Sequence, residues 1–207
     1  MHGMFHNAQS FNQPIGDWNT SACTNMNKMF HSAYAFNQSI GNWNTAQVTN
    51  MQHMFESAEN FNQDIGDWNT SKVTNMTGMF YAYQKTTVFN QDLGRWDTGK
   101  VLSMDRMFRK TTVFDQDISK WDVSSATNFN DIFLDATALS NAHKGLIHSS
   151  FSSNSNWPYD WSAHMPAPAS LTNANFQTAV DLWCSDKATA FATYGHIKDW
   201  NLSLIHI

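Results

Sequence analysis

A tryptophan recurs at Trp18, Trp43, Trp68, Trp96 and Trp121, at steps of 25, 25, 28 and 25 residues. A chain with that period buries its apolar residues by stacking like on like. Phe11, Phe36, Phe61, Phe89 and Phe114 keep the same steps, as do the Met-Phe pairs ending at Phe5, Phe30, Phe55, Phe80 and Phe108 and the Ile132-Phe133 pair. The longer step holds three extra residues between Phe80 and Phe89. Both flanks stay in register, which places the insertion in a loop. The unit reads V-T-N-M-x-x-M-F-x-x-A-x-x-F-N-Q-D-I-G-x-W-N-T-S-x.

The unit divides into two local patterns. Val48, Met51, Phe55 and Ala58 fall at i, i+3, i+7 and i+10, one face of a short helix. Thr20, Thr45 and Thr70 precede it as N-caps in successive units. Phe61, Gln63 and Ile65 alternate as in a strand, and Gly66 permits a bend before Trp68. The expectation is an α/β repeat solenoid of leucine-rich-repeat type, with one short strand and one short helix in each coil of roughly 25 residues. Its strands would stack at about 4.8 Å into a parallel sheet. In such a coil Trp68 is a core residue.

The runs from Phe61 to Trp68 and from Val73 to Phe80 resemble the 25-residue repeats of BspA-like surface proteins, a leucine-rich-repeat relative. The resemblance covers residues 1–133. It implies a solenoid on large cell-surface or secreted proteins with adhesive or host-contact roles, and it transfers no catalytic residue.

Three regions are expected: residues 1–133 as a solenoid of about five coils, 134–194 as a non-repeating helical spacer or cap, and 195–207 as the stub of a second array. Ser140 caps a helix carrying Ala142, Leu146 and Ile147 and ending near Phe151. The stretch around Pro166 and Pro168 reads as loop, and Phe176, Val180 and Trp183 return to helical spacing. Met1, Met4, Phe5 and Ala8 align with Met26, Met29, Phe30 and Ala33, so the chain is expected to open midway through a unit. At the other end Ile197 and Trp200 match Ile15 and Trp18, after which Leu202 to Ile207 departs from the motif, as a truncation or foreign tail would.

Composition narrows the function. Charged residues are 14% of the chain and the formal net charge is −5, and no Lys/Arg cluster offers itself to nucleic acid. No apolar run approaches the roughly 20 residues that span a bilayer, and the N-terminus lacks the basic and apolar regions of a signal peptide. Cys23 sits in a column with Val48, Val73 and Val101 and reads as a small buried hydrophobe; with Cys184 it forms no metal or redox motif.

Catalysis requires convergent, non-repeating polar groups, whereas here polar residues recur by column. Asn12, Asn37, Asn62 and Asn90, then Asp115, form one column, and Gln13, Gln38, Gln63, Gln91 and Gln116 another. Stacked amides bond to one another and to turn backbone, so these read as a structural ladder. Asp64, Asp92 and Asp117 share a column, with Asp67 near the first. Stacked carboxylates suit calcium, but the column begins with Pro14 and Ser39 and no calcium-loop pattern is present, so it reads as a solvated acidic edge. His6, His31 and Glu56 mimic a zinc triad, yet the column continues through Tyr81, Arg109 and Leu134, as a variable exposed position does. Met26, Met51, Met76 and Met104 read as packing residues. The Asn-x-Ser/Thr strings at Asn19, Asn37, Asn69, Asn75 and Asn201 are mostly imposed by the repeat.

No metal and no cofactor is expected. The expected function is a non-catalytic, surface-exposed module for adhesion or protein–protein interaction, with a protein or glycoconjugate as partner and no nucleic acid or membrane insertion. The exposed column Asp17, Asn42, Asp67, Arg95 and Lys120, running from acidic to basic, is its candidate footprint. An envelope spacer and the targeting arm of a larger enzyme are the alternatives.

Overall fold

The computed structural model describes residues 1–83, 86–165 and 171–185, together with 190, 193–195, 197 and 200. In the repeat region the chain turns every three or four residues. In one coil the Met29 N–H bonds the Met26 carbonyl, Ala33 bonds Phe30 and Phe36 bonds Ala33, and further on Trp43 bonds Ile40 and Val48 bonds Thr45. The third residues of the first two turns are left-handed, Lys28 at φ 55° and Ser32 at φ 56°, where a type II turn requires positive φ. The same two columns are left-handed along the stack: Gly3, Lys28, His53, Gly78, Arg106 and Asp131 in one, Asn7, Ser32, Ser57, Lys110 and Asp135 in the other.

Each coil is sewn to the next. The N–H groups of Met26, Lys28, Phe30 and Ser32 donate to the carbonyls of Asn50, Gln52, Met54 and Glu56 at 2.8–2.9 Å. Extended pairing is confined to single parallel bridges, Asn25–Asn50–Asn75–Ser103–Asn128. Among the described residues there is no sheet, and the two α-helices, α1 (Asn141–Phe151) and α2 (Phe176–Ser185), both come after the coils. The leucine-rich-repeat-like α/β solenoid, with a helix and a parallel-sheet strand in every coil, is therefore wrong for this chain.

The physical reasons differ for the two halves of the unit. Consecutive four-residue turns put apolar side chains inward at nearly the spacing of a helix, so Val48, Met51, Phe55 and Ala58 are all buried without forming one. A left-handed residue every fourth position excludes the α-helix. In the second half, the Asn62 N–H bonds the side-chain oxygen of Asn37 at 3.0 Å in place of a neighbouring carbonyl. A side chain thus occupies the space where a β-ladder partner would lie. The threonines expected as N-caps are buried instead, and Thr20, Thr45, Thr70 and Thr98 donate their hydroxyls to the carbonyls of Asn44, Asn69, Asp97 and Asp122 in the following coil.

Inside the stack run two files of phenylalanine. Phe30, Phe55, Phe80 and Phe108 lie 5.6–5.8 Å apart and within 8° of parallel. Each also faces a ring of its own coil, Phe36, Phe61, Phe89 and Phe114, at 3.9–4.1 Å. The Phe80–Phe89 pair keeps this distance across the insertion, of which Gln84 and Lys85 lie outside the described residues.

The last coil is covered by the segment C-terminal to it. Ser140 caps α1 by accepting the His143 N–H, and α1 places Ile147 and Phe151 in the core. Trp157, Tyr159 and Trp161 pack against the same core. Helix α2 joins a separate small cluster of Leu171, Ala179 and Tyr194, with Phe176, Leu182 and Trp200 against it. The expected loop at 166–170 lies outside the described residues, as does the expected stub at 195–207 except for Gly195, Ile197 and Trp200.

Candidate functional site

The asparagine column forms a continuous rung system. Side-chain oxygens of Asn12, Asn37, Asn62 and Asn90 accept the backbone N–H of Asn37, Asn62, Asn90 and Asp115 at 2.9–3.0 Å. The amides of Gln38, Gln63, Gln91 and Gln116 donate to the same four oxygens at 2.9–3.0 Å. Gln13 lies exposed on the first coil. Both lone pairs of each asparagine oxygen are thereby occupied.

Asp115 ends the column and changes its chemistry. It accepts the Ser140 N–H at 2.8 Å and lies 2.6 Å from His143 Nδ1, joining the helical cap to the last coil. Partial burial pushes the Asp115 carboxyl up, but bonds from the Ser140 N–H, the His143 ring and the Ser140 hydroxyl outweigh it and hold the group below its ordinary value.

Two further ladders escaped sequence reasoning. The indole N–H of Trp43, Trp68, Trp96 and Trp121 donates to the carbonyl of Ile15, Ile40, Ile65 and Leu93 in the preceding coil at 2.9–3.1 Å. The threonine hydroxyls form the other. Their signal was the recurrence of Trp-x-Thr in the first four units, since a polar tip on a buried residue needs a partner. Asn154 carried no such signal because it stands outside the repeat. Its amide donates to the Val123 and Ala126 carbonyls at 2.7 and 2.8 Å, covering the edge of the last coil.

Asp17, Asn42, Asp67, Arg95 and Lys120 are all exposed. Two of them meet: Arg95 lies 2.8 Å from Asp67, with side chains 57% and 75% exposed, an arrangement that contributes little to stability. Arg95 and Lys120 also border an open hollow of about 300 Å³ with Asp92, Asp117 and His143.

In the aspartate column, Asp64, Asp92 and Asp117 each accept the backbone N–H two residues on, from Gly66, Gly94 and Ser119 at 2.7–2.9 Å, closing local turns. His6 and His31 lie with ring centroids 4.6 Å apart and planes tilted by 48°, and His53, from a left-handed column, joins at 6.4 Å from His31. Burial lowers the His31 pKa; Glu56 opposes the shift, while His6, His53 and Lys28 add to it. His53 Nδ1 lies 2.5 Å from Glu56 Oε2 without hydrogen-bond alignment. Among the described residues no group of three or more His, Cys, Asp or Glu is placed to hold a metal ion. Cys23 is buried, Cys184 is exposed, and both are free thiols. No helix among the described residues is long and apolar enough to cross a membrane.

The family described as Mycoplasma protein of unknown function, DUF285, matches this chain twice, over residues 1–87 and 81–160. The chain belongs to this family. The two matches together span every coil and continue through α1 into the aromatic cap, so a repeat protein is what the family and the coil-to-coil bonding both describe. No curated protein matches the chain, and no solved structure does.

Proposed function

We propose that this member of the DUF285 family is a non-catalytic, surface-exposed repeat module for adhesion or protein–protein interaction, of the BspA-like surface type. The supporting observation is how its polar groups are distributed. The recurring Asn, Gln, Thr and Trp polar atoms are committed to bonds between coils. The varied column of Asp17, Asn42, Asp67, Arg95 and Lys120 faces solvent. A constant interior and a variable exterior suit an extended recognition surface on a repeat stack. The location outside the cell rests on the likeness of the Phe-Asn-Gln-Asp-Ile-Gly-x-Trp motif to those surface repeats.

The test is saturable binding of the labelled chain to intact animal cells and to a panel of extracellular proteins. The proposal expects binding that Arg95→Glu with Lys120→Glu abolishes while the melting temperature holds. Absence of saturable binding would favour an envelope spacer. A reproducible turnover lost on one substitution would replace the reading with an enzyme.

A further inference from the structure

Where the coils give way to α1, the surface opens into a hollow of about 440 Å³, within the range of small-ligand sites. Its position is a consequence of how the repeat ends. On inner coils the Trp-to-Thr edge is covered by the next coil, through contacts such as Thr98 Oγ1 to the Asp122 carbonyl at 2.8 Å. On the last coil Val123 stands in place of the threonine, and the side-chain amides of Asn154 and Asn156 reach across, Asn154 to the carbonyls of Val123 and Ala126 and Asn156 to Ala126 at 3.5 Å. Space is left between coil and cap.

The walls of that space have a definite chemistry. Asp122, Ser124, Ser150, Ser155 and Asn156 line it, with Val123 and Ala126 supplying apolar surface. No Lys, Arg or His is among its lining residues. Asp122 Oδ1 accepts the Ser124 N–H at 2.9 Å, and bonds from Ser124 hold the carboxyl below its ordinary value, so it presents a negative charge to the hollow. The Ser155 hydroxyl bonds no other described residue. A carboxylate without a compensating cation repels phosphates, sulfates and carboxylates. Hydroxyl, amide and carboxylate groups around one hollow suit a ligand that donates and accepts at many points and carries C–H faces.

We propose that this hollow binds an uncharged saccharide unit, free or as part of a glycan. The site is separate from the charged column and does not depend on it.

The experiment is a titration of the full chain with N-acetylglucosamine, galactose and mannose, with N-acetylneuraminic acid as the anionic comparison, monitored by ligand-observed NMR. At least one neutral sugar is expected to saturate with a millimolar Kd, and the acidic sugar to bind at least about tenfold more weakly. Ser155→Phe, a bulky change at an exposed position, should abolish binding. Asp122→Asn should narrow the discrimination between neutral and acidic sugars, and it should fold, because Asn19, Asn44 and Asn69 occupy that column on earlier coils. Charge reversal at Arg95 and Lys120 should leave sugar binding unchanged, so loss of protein binding and loss of sugar binding are separable. Failure of every neutral sugar to saturate, equal binding of the acidic sugar, or binding that survives Ser155→Phe overturns the proposal.

Discussion

Trp68 is 3% exposed, stacks within 2° of parallel on Trp43, and donates its indole N–H to the Ile40 carbonyl at 3.1 Å. Trp68→Ala therefore removes a buried aromatic and leaves a buried carbonyl without its side-chain donor. The expected loss is about 3–5 kcal/mol, read as a shift in the denaturant midpoint. A loss under about 1 kcal/mol would remove Trp68 from the core. At this scale much was legible. The Trp, Phe, Met, Asn and Gln columns are evident from recurrence, because a repeat aligns its own equivalent positions. The direction of the bonds was not legible, since the spacing that places Trp68 inside does not reveal which coil holds its acceptor.

At the scale of the element, conformation departs most from expectation. Apolar residues at i, i+3, i+7 and i+10 satisfy an α-helix and a string of four-residue turns alike. The residues that decide between them are the variable ones. Gly3 and Gly78 stand in the column also held by Lys28, His53, Arg106 and Asp131. Glycine recurring in a column of a supposed helix was the available sign of positive φ. Helix α1 was legible because Ser140 is a conventional cap. Its attachment was not, because Asp115 and His143 meet only when the cap folds against the last coil.

That attachment makes the cap acid-sensitive. The folded Asp115 carboxyl is held below its ordinary pKa of 3.8. The unfolded chain therefore takes up this proton first as pH falls. The stabilisation is full above the ordinary carboxylate range and lost as pH drops through the depressed folded value. Asp115→Asn, the residue of every earlier coil in that column, should reduce neutral-pH stability by about 1 kcal/mol or less, given partial exposure. Melting curves of the two proteins should converge in acid. A difference independent of pH would assign Asp115 no ionised role.

Across the whole molecule, cohesion is directional and shared among ladders. Backbone donors such as Met26, Lys28, Phe30 and Ser32 point to the following coil, while the N–H groups of Thr49 and Thr74 and the tryptophan and glutamine side chains point to the preceding one. Each inner coil is thus tied to both neighbours, as in other repeat stacks. In the first coil described, Trp18 is 39% and Met4 52% exposed. The far end is closed by Asn154, Tyr159 and the surrounding aromatic rings. The lapse of the repeat after residue 133 pointed to a spacer or cap but not to the residues that close the stack, because a cap need only match the last coil and obeys no period.

The central claim is that the coils are built from turns with left-handed third residues, and Lys28 tests it most directly. It is half-buried at φ 55°, and Gly3 and Gly78 occupy the same column. The measurement is the stability of Lys28→Gly against Lys28→Ala, which removes the side chain from both. With a left-handed residue at this position the glycine variant is the more stable, by about 0.5–1 kcal/mol after the greater freedom of the unfolded glycine chain is counted. In a helix the order reverses and alanine wins by about 1 kcal/mol. A more stable Lys28→Ala would contradict the turn-built coil.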